Sequence, residues 1–276
     1  MDIEFTKMHG IGNDFVVINA MQQPFALTLE QVRHIADRRF GIGCDQLLVV
    51  EPATIGIADF KYRVFNADGH EVEQCGNGAR CFAHYVRAKK LTDKTVIPVE
   101  TASGLIELTL LENSHVRVNM GTPIFDPESI PFEANTQADR YAITVNDETM
   151  DIGAVSMGNP HAVLEVVDID HTPVERLGAN IEAHRRFPDH VNVGFMQVLD
   201  RNNIKLRVWE RGAGETLACG TGACAAVVIG QIQGLLDETV RVTLTGGQLV
   251  VSWAGENHPV LMTGPASFVF EGKITL

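Results

Sequence analysis

Two short stretches of the chain, CGNGARC at 75–81 and CGTGACA at 219–225, share the pattern Cys-Gly-x-Gly-Ala, and the rest of the sequence is organised around them. In each stretch a cysteine stands directly before a Gly-x-Gly-Ala turn that opens an apolar run. The apolar residues after Cys75 recur at the spacing of an amphipathic helix, and Lys89-Lys90 close the segment where cations suit a helix C-terminus. The second run is apolar almost all round, which predicts a helix buried within its sheet. Both cysteines are therefore expected at helix N-termini.

The polar residues around each cysteine recur in the same order at a nearly constant offset, which indicates an internal duplication. The matched pairs are Asn66 and Glu210, Cys75 and Cys219, Asn77 and Thr221, each 144 residues apart, and Asn13 and Asn159, Gln46 and Asn192, each 146 residues apart. The sequence therefore predicts an α+β fold of two pseudo-symmetric repeats of one mixed-sheet unit. Each repeat is expected to wrap around a buried central helix, with the active site in the cleft between the repeats.

A boundary between the two repeats is expected near residue 121. The segment GTPIFDPESIPF, which begins at Gly121, is rich in proline and has the composition of a linker. The strand-like segment Ser267–Leu276 has no counterpart after Gly121, so we expect it to return to the first repeat. The predicted lobes are residues 1–120 plus 266–276, which carry Cys75, and residues 121–265, which carry Cys219.

Local patterns predict two further helices and one loop. The segment TLEQ that begins at Thr28 is a capping-box pattern, and Thr172 opens a second one with Pro173 at the first helical position. The glycine-interrupted segment Thr6–Phe15 is interpreted as a loop that presents Asn13 from a strand end.

Several reactive or charged residues have an ordinary structural interpretation. Those interpreted as purely structural are Cys44, Cys81 and Cys224, as core residues, and the pairs Arg38-Arg39 and Arg185-Arg186, as solvated helix-end charges. Taken alone, His161 could be a turn residue, Glu210 a solvated acid, and each asparagine a turn former. Recurrence at the repeat offset is what favours a functional role for the two cysteines and the asparagines.

Composition excludes several classes of partner. The 35 acidic against 22 basic residues give a formal net charge of −13, which argues against nucleic acid because phosphate neutralisation needs a surplus of Lys and Arg. No apolar run is long enough to span a membrane, and the N-terminus lacks the apolar region of a signal peptide. We therefore expect a cytoplasmic protein with a small-molecule substrate. The 5 cysteines, an odd number, predict reduced thiols rather than a disulfide framework.

Two cysteines that face each other from helix N-termini could invert a carbon centre. The unpaired N–H groups and the helix dipole are expected to lower the pKa of each thiol and to favour the thiolate. One thiolate would remove a proton from a carbon while the opposite thiol returns a proton to the other face. Backbone N–H groups beside the glycines would cradle a carboxylate and stabilise the carbanion. No cofactor or metal is expected, since Walker A, GxGxxG, CxxC and HExxH patterns are missing.

The combination of MHGIGNDFVV, GCDQ, FNADG, CGNGARC, GNPH, HVNVGF and WERGAGETLACGTGA closely resembles the diaminopimelate epimerase family from Lys7 onward. The resemblance implies a cofactor-independent, two-base epimerase that interconverts LL- and meso-2,6-diaminopimelate on the bacterial route to lysine and peptidoglycan. It implies Cys75 as proton donor and Cys219 as acceptor in the LL-to-meso direction, with His161 and Glu210 assisting the thiols. The substrate contacts that it implies are Asn13, Gln46, Asn66, Gly76, Asn77, Asn159, Asn192, Glu210, Arg211, Gly220 and Thr221.

The polar candidates suit a substrate with an ammonium and a carboxylate at each end. Five asparagines and Arg211 offer more hydrogen-bonding groups than a small apolar amino acid would use, and Arg211 is expected to bind the distal carboxylate. Members of the resembled family act as homodimers, and a tyrosine near the C-terminus takes part in that contact in some of them. The matching position here is Phe270, so a homodimer is expected whose contact lacks this hydroxyl.

Three other functions stay open at this point. A racemase of another amino acid, such as proline, would use the same paired cysteines, although Arg211 and the many polar candidates argue against it. An isomerase of the phenazine-biosynthesis type would share the duplicated fold but would not need both cysteines. A non-catalytic thiol sensor would switch Cys75 and Cys219 between dithiol and disulfide.

Overall fold

Residues 2–23, 26–72 and 75–276 are described by a computed structural model of the chain. They form two units, Met1–Asn119 with Thr263–Leu276 and Met120–Met262. All five cysteines are free thiols, and Cys44, Cys81 and Cys224 are buried in the core, as expected. Among the described residues, no helix combines the length and the apolar character needed to cross a membrane.

Apolar strands and two helices build the first unit. The elements before residue 120 are β1 (Asp2–Gly10), β2 (Asn13–Asn19), α1 (Leu29–Ala36), β3 (Gln46–Pro52), β4 (Phe60–Asn66), β5 (Glu71–Val72), α2 (Gly76–Ala88), β6 (Val96–Thr101), β7 (Gly104–Leu110) and β8 (His115–Asn119). Strand β2 runs parallel to β3 and β4 runs parallel to β6, each pair joined through a helix. Pairs such as β1–β2 and β3–β4 are antiparallel, so the sheet is mixed.

The second unit repeats this order. The elements after residue 120 are β9 (Tyr141–Val145), β10 (Glu148–Ser156), β11 (Pro160–Glu165), α3 (Val174–Glu182), β12 (Asn192–Asp200), β13 (Asn203–Glu210), β14 (Gly214–Thr216), α4 (Gly220–Ile232), β15 (Thr239–Leu244), β16 (Gly247–Trp253) and β17 (Val260–Pro265). The strand registers agree as well. Phe15 pairs with Gln46 between parallel β2 and β3, and His161, 146 residues later, pairs with Asn192 between parallel β11 and β12. The predicted α+β fold of two mixed-sheet repeats is confirmed.

Each unit packs its sheet around one central helix, α2 or α4. Ten of the 13 residues in each of these helices are buried, as predicted. Glycines permit the close approach of helix and sheet. A Cβ at Gly78 of α2 would lie 2.3 Å from Tyr62 Oη, and one at Gly153 of β10 would lie 2.3 Å from Ile229 Cγ2 of α4. A larger residue at either position would force the helix away from its sheet.

The last strand, β18 (Ser267–Thr275), pairs antiparallel with β1, so its expected return to the first unit is confirmed. In the second unit, β9 pairs in the same way with β10, the strand that corresponds to β1. The expectation that Ser267–Leu276 has no counterpart after Gly121 is therefore wrong. The counterpart precedes the other strands of its unit in the chain, whereas β18 follows them.

The prediction of a loop at Thr6–Phe15 is also wrong. Strand β1 extends to Gly10, with Met8 fully buried, and it has strand neighbours on both sides, β2 and β18. Only Ile11 and Gly12, with positive φ of 49° and 93°, form the turn that leads to Asn13 at the start of β2. Pairing on both sides outweighs the local turn signal of the glycines.

The two capping-box predictions have different outcomes. Thr28 accepts the Gln31 N–H at 3.3 Å, and the Gln31 side chain accepts the Thr28 N–H at 2.9 Å, so the first box is confirmed. The second is wrong, because the Thr172 hydroxyl donates to the Asp168 carbonyl at 2.6 Å instead of capping a helix. Helix α3 begins at Val174, one residue later than predicted.

Two arginines that we interpreted as solvated helix-end charges have specific partners. Arg38 donates to both carboxylate oxygens of Asp14, at 2.7 and 3.0 Å, and to Asp45 at 2.7 Å. Arg186 donates to two backbone carbonyls at 2.6 and 3.0 Å and lies 4.3 Å above the Phe132 ring. Arg38 is a solvated charge after the end of α1, as interpreted, since its side chain is 58% exposed, but it also pairs with two carboxylates. The interpretation is wrong for Arg186, which is only partly exposed and whose partners are remote in sequence.

Candidate active site

Cys75 occupies the N-cap position of α2, as predicted. Its backbone is extended (φ −140°, ψ 116°), and its carbonyl accepts the Ala79 N–H at 2.8 Å. The Tyr62 hydroxyl donates to the same carbonyl at 3.2 Å. This bond anchors the start of the helix to β4. Gly76, the first residue of the helix, is buried, and the Cys75 thiol is partly exposed.

Two asparagines lie beside the Cys75 thiol. Its sulfur is 3.7 Å from Asn13 Oδ1, and Asn77 donates to the same oxygen at 3.1 Å. The Asn13 Nδ2 group faces the other way and donates to Asp45 at 2.8 Å. The thiol of the first unit therefore faces an amide oxygen whose orientation depends on its neighbours.

Gln46 and Asn66 are directly opposite each other in the β3–β4 pairing. Gln46 Nε2 donates to Asn66 Oδ1 at 2.8 Å. Gln46 Oε1 is buried and has no hydrogen-bond partner within the described ranges. A buried acceptor of this kind suits a ligand that brings an N–H donor, such as an ammonium group.

Cys219 occupies the N-cap position of α4, which corresponds to that of Cys75. The side chain is almost fully buried, and its sulfur accepts the Gly222 N–H at 3.4 Å. The Thr221 hydroxyl lies 3.6 Å from the same sulfur. Gly220, the first residue of the helix, is buried behind it. The Gly222 N–H and the Thr221 hydroxyl therefore face this sulfur, and the Glu210 carboxylate also forms a hydrogen bond with the thiol.

The expected thiolate is not the favoured form of Cys219 in this state. Burial raises the pKa of the Cys219 thiol well above its ordinary value, and the negative charge and hydrogen bond of Glu210 add to this effect. The Thr221 hydroxyl and the Gly222 N–H act in the opposite direction but are weaker. The helix terminus supplies the stabilisation that we expected, but removal of the sulfur from water outweighs it.

His161 is fully buried on β11, next to Asn159. Its Nε2 lies 3.0 Å from Asn159 Oδ1, an oxygen that can only accept, so Nε2 carries the proton. The opposite ring atom, Nδ1, is buried and has no hydrogen-bond partner within the described part of the chain. Burial, together with the positive charge of Arg211, lowers the pKa of His161 to about 3. The ring is therefore neutral and offers an unshared electron pair on Nδ1.

Asn192 and Arg211 are joined at the end of the second sheet. The Arg211 N–H donates to Asn192 Oδ1 at 3.0 Å, and Asn192 Nδ2 donates to a backbone carbonyl of β11 at 2.9 Å. The Arg211 side chain is exposed and donates to the Asp189 carbonyl at 3.0 Å. The turn that carries Arg211 is anchored by Glu182, which accepts the Gly212 N–H at 2.8 Å. An exposed guanidinium on an anchored turn is suited to binding a carboxylate.

The site residues predicted from sequence form separate contact groups in the two units. In the first unit they are Cys75 with Asn13 and Asn77, and Gln46 with Asn66. In the second unit they are the chain Cys219, Thr221, Asn159 and His161, then Glu210 beside Cys219, and Asn192 with Arg211.

Sequence reasoning missed four residues that position these groups. They are Asp45 at Asn13, Tyr62 at Cys75, Glu182 at the Arg211 turn, and Thr216, which donates to Glu210 at 2.5 Å. Asp45 lies within the GCDQ motif, which was the one available signal. No cluster of three or more metal-binding side chains occurs among residues 2–23, 26–72 and 75–276.

Comparison with known proteins identifies the family. The model of the family "Diaminopimelate epimerase" matches residues 5–125 and 153–269. The chain is 63% identical over 278 residues to diaminopimelate epimerase of Thioalkalivibrio sulfidiphilus and 59% identical over 279 residues to that of Nitrosomonas eutropha, with 100% of each chain covered in both cases.

Solved structures with low sequence identity share the fold. A probable proline racemase from Agrobacterium radiobacter has a TM-score of 0.74 at 15% identity, with 99% of this chain and 93% of that chain covered. A hydroxyproline epimerase from Agrobacterium vitis has a TM-score of 0.72 at 16% identity, with 99% and 92% covered. The family match over most of the chain and the full-length relatives at 59% and 63% identity show that the chain belongs to the diaminopimelate epimerase family and is an isomerase.

Proposed function

We propose that the protein converts LL-2,6-diaminopimelate to the meso form in the cytoplasm, as a step toward lysine and peptidoglycan. One observation carries the proposal: both repeats place a cysteine at the N-cap of the central helix and polar groups beside its sulfur. Full-length relatives named diaminopimelate epimerase support the choice of substrate. The predicted lobes, residues 1–120 with 266–276 and residues 121–265, would each supply one of the two thiols that the reaction needs.

The proposed chemistry needs two proton transfers on opposite faces of one carbon. The Cys219 thiolate takes the proton from the α-carbon, and the electron pair left behind delocalises into the adjacent carboxylate. The Cys75 thiol then gives its proton to the other face, which inverts the centre and leaves Cys219 as thiol and Cys75 as thiolate. N–H groups at the helix N-termini, next to Gly76 and Gly220, stabilise the carboxylate charge in the transition state.

Cys219 must lose its proton before it can act as the base. Glu210 is the group in place to accept that proton, since its carboxylate already forms a hydrogen bond with the thiol. The Thr216 hydroxyl holds this carboxylate at 2.5 Å. His161 assists as a neutral imidazole whose Nδ1 accepts a hydrogen bond. Substrate binding places a cationic ammonium nearby, and this positive charge favours the thiolate.

The remaining polar residues would recognise the two ends of the substrate. Arg211 would bind the distal carboxylate, because its guanidinium can form two parallel hydrogen bonds with it. Gln46 Oε1 would accept from an ammonium group. The proposed substrate contacts are Asn13, Gln46, Asn66, Gly76, Asn77, Asn159, Asn192, Glu210, Arg211, Gly220 and Thr221.

Heavy-water turnover tests this mechanism. Purified protein with LL-diaminopimelate in D₂O should place deuterium at the inverted α-carbon, with no added cofactor, and L-proline should not be inverted. Cys75→Ala and Cys219→Ala should each abolish epimerisation, whereas Cys44→Ala, at a buried thiol outside both contact groups, should keep it. Inversion of proline alone would show a proline-type racemase. Normal turnover by either active-site variant would exclude the two-base scheme. If wild type turned over neither substrate, the non-catalytic thiol sensor would be the remaining alternative.

We further propose a homodimer that forms through β18. The strand exposes three consecutive apolar residues, Phe268, Val269 and Phe270, with relative exposures of 38%, 54% and 49%. A groove of about 510 Å³ beside the strand is bordered by the 81%-exposed Phe40. Contiguous exposed apolar residues of this kind are suited to contact with a second copy.

Light scattering tests the dimer. Phe270→Glu should shift the protein from dimer to monomer, because two carboxylates would be buried in the contact. Val167→Glu, at a 95%-exposed site in the second unit, is the control and should remain dimeric. A Phe270→Glu protein of unchanged mass would refute the role of Phe270.

A further inference from the structure

The side-chain amide of Asn13 has an orientation that its neighbours decide. On one side, Asp45 Oδ2 accepts from Asn13 Nδ2 at 2.8 Å and from the Asp14 N–H at 3.0 Å. A carboxylate can only accept, so the NH₂ group of Asn13 must point toward Asp45. On the other side, Asn77 donates to Asn13 Oδ1 at 3.1 Å, which requires the oxygen there. Both neighbours select the same orientation.

This orientation places a carbonyl oxygen, not an NH₂ group, 3.7 Å from the Cys75 sulfur. An amide oxygen accepts the S–H proton and repels a thiolate, so it favours the protonated form. Rotation of the amide by 180° would bring the NH₂ group to the sulfur and would favour the thiolate instead. The direction of one amide therefore selects the protonation state of Cys75.

Asp45 is itself held by a charged cluster. Arg38 bridges Asp45 and Asp14 at 2.7 Å to each, and the Asp45 N–H donates to Asp14 Oδ1 at 3.0 Å. Lys7, which is almost fully buried, pairs with Asp14 at 2.5 Å. Burial alone would raise the pKa of Asp14, but the hydrogen bonds and charges of Arg38 and Lys7 outweigh it and hold this pKa well below its usual range. The cluster thus keeps its charges and its geometry in neutral solution.

We propose that Asp45 is a positioning residue: it fixes the Asn13 amide with its oxygen toward Cys75 and so keeps this thiol protonated as the proton donor. The inference rests on the proposed two-thiol mechanism. In the second unit the acceptor at the Cys219 sulfur is the Glu210 carboxylate, which the proposed mechanism uses to take the thiol proton, and the Gly222 N–H donates to the same sulfur. The two units therefore differ in the hydrogen bonds that choose donor and acceptor.

The test measures the protonation of Cys75 without turnover. Wild type, Asp45→Ala and Asp45→Asn are alkylated with iodoacetamide over a range of pH, and the rate at Cys75 is followed by peptide mass spectrometry. In Asp45→Ala the Asn13 amide loses the acceptor that holds its NH₂ group and keeps only the bond from Asn77, so it can rotate. The midpoint of the alkylation profile should then fall by about one pH unit, because an N–H donor can reach the sulfur. Asp45→Asn keeps one acceptor oxygen for Asn13, so its midpoint should fall by less than half as much.

Two controls separate orientation from charge. Asp93→Ala removes one negative charge at a fully exposed site of the same unit and should leave the midpoint unchanged. Among the described residues of the first unit, the titratable or charged groups near Cys75 include Tyr62, which donates to its carbonyl, Cys81, whose charge would interact with that of Cys75, and Arg80, which donates to the Gly76 carbonyl at 3.5 Å, and every variant retains them.

Equal shifts in the Ala and Asn variants would show a pure charge effect and would overturn the inference, as would unchanged midpoints in both. If wild type incorporates deuterium into diaminopimelate while Asp45→Ala alkylates like wild type, only the positioning role fails. If wild type does not turn over diaminopimelate at all, the proposed function fails whatever the alkylation profile.

Discussion

Replacing Gly78 by alanine tests how closely α2 must approach its sheet. A Cβ at this position would lie 2.3 Å from Tyr62 Oη, 3.1 Å from Leu48 Cδ2 and 3.3 Å from Phe15 Cε1. The Tyr62 hydroxyl would have to retreat by roughly 1 Å to restore an ordinary contact distance. Tyr62 is only 1% exposed and packs edge-on against Phe82 at 5.0 Å, so its rigid ring has no space to move into.

Three contributions set the size of the effect. Overpacking of a well-packed core costs about 2 kcal/mol. Displacement of the Tyr62 hydroxyl from the Cys75 carbonyl removes a hydrogen bond worth about 1 kcal/mol. Alanine offsets about 1 kcal/mol through its better helix propensity. The expected net loss is about 2 kcal/mol, which lowers the melting temperature by about 4 to 8 °C for a protein of this size.

Scanning calorimetry of Gly78→Ala and wild type measures this loss directly. Gly56→Ala is the matched control, because a Cβ there would meet nothing within 4 Å, and its melting temperature should stay within about 1 °C of wild type or rise slightly. A Gly78→Ala protein that melts at the wild-type temperature would show that α2 can shift freely, and the reasoning about its close packing would be refuted.

Three further outcomes follow from groups in the interior of each unit. Burial raises the pKa values of Cys44 and Cys81 to about 12, so iodoacetamide at pH 8 should leave both unlabelled in the folded protein, as peptide mass spectrometry can check. Burial lowers the pKa of His161 to about 3, from the ordinary histidine value of about 6.5. Between these two pH values the unfolded chain binds a proton at His161 and the folded chain does not, so stability falls as the pH drops below about 6.5. Denaturant unfolding should show that His161→Gln loses about 2 kcal/mol less than wild type between pH 7 and pH 5; equal losses would contradict this. Glu182→Ala should raise KM for LL-diaminopimelate about tenfold in steady-state kinetics, because the turn anchored at Gly212 carries the proposed distal-carboxylate contact; an unchanged KM would contradict that role.

The helix N-termini and the duplication were accessible from the sequence because both leave local signals. A cysteine before Gly-x-Gly and an apolar run specifies an N-cap within a few residues, and the copies at 75 and 219 reinforce each other. The strand registers agree at the same offset of 146 residues, so matched asparagines such as Asn13 and Asn159 fall at equivalent strand ends. Repetition of a pattern thus carried information that a single copy lacks.

Most of the differences share one cause, which is that the deciding contacts are remote in sequence; the capping box at Thr172 is the exception, because the competing Asp168 carbonyl lies four residues away. The glycines near Met8 indicated a loop, but β18 pairs with this segment from the other end of the chain. The ion pair of Arg38 with Asp14 was not predicted because Asp14 lies on a different element. At Cys219, the helix dipole is readable from neighbouring residues, whereas the burial that outweighs it depends on the whole unit.

The positions of β9 and β18 in the chain have a consequence for synthesis on the ribosome. Strand β9 precedes β10, so all strands of the second unit's sheet emerge in one continuous run. The partner of β1 in the first unit is β18, and Thr275 donates to Asp2 at 2.7 Å. The first unit is translated earlier, but the edge of β1 that pairs with β18 therefore stays unpaired until β18 has emerged from the ribosome. Its vectorial folding is completed last, and a stalled or shortened nascent chain would expose this edge to other chains.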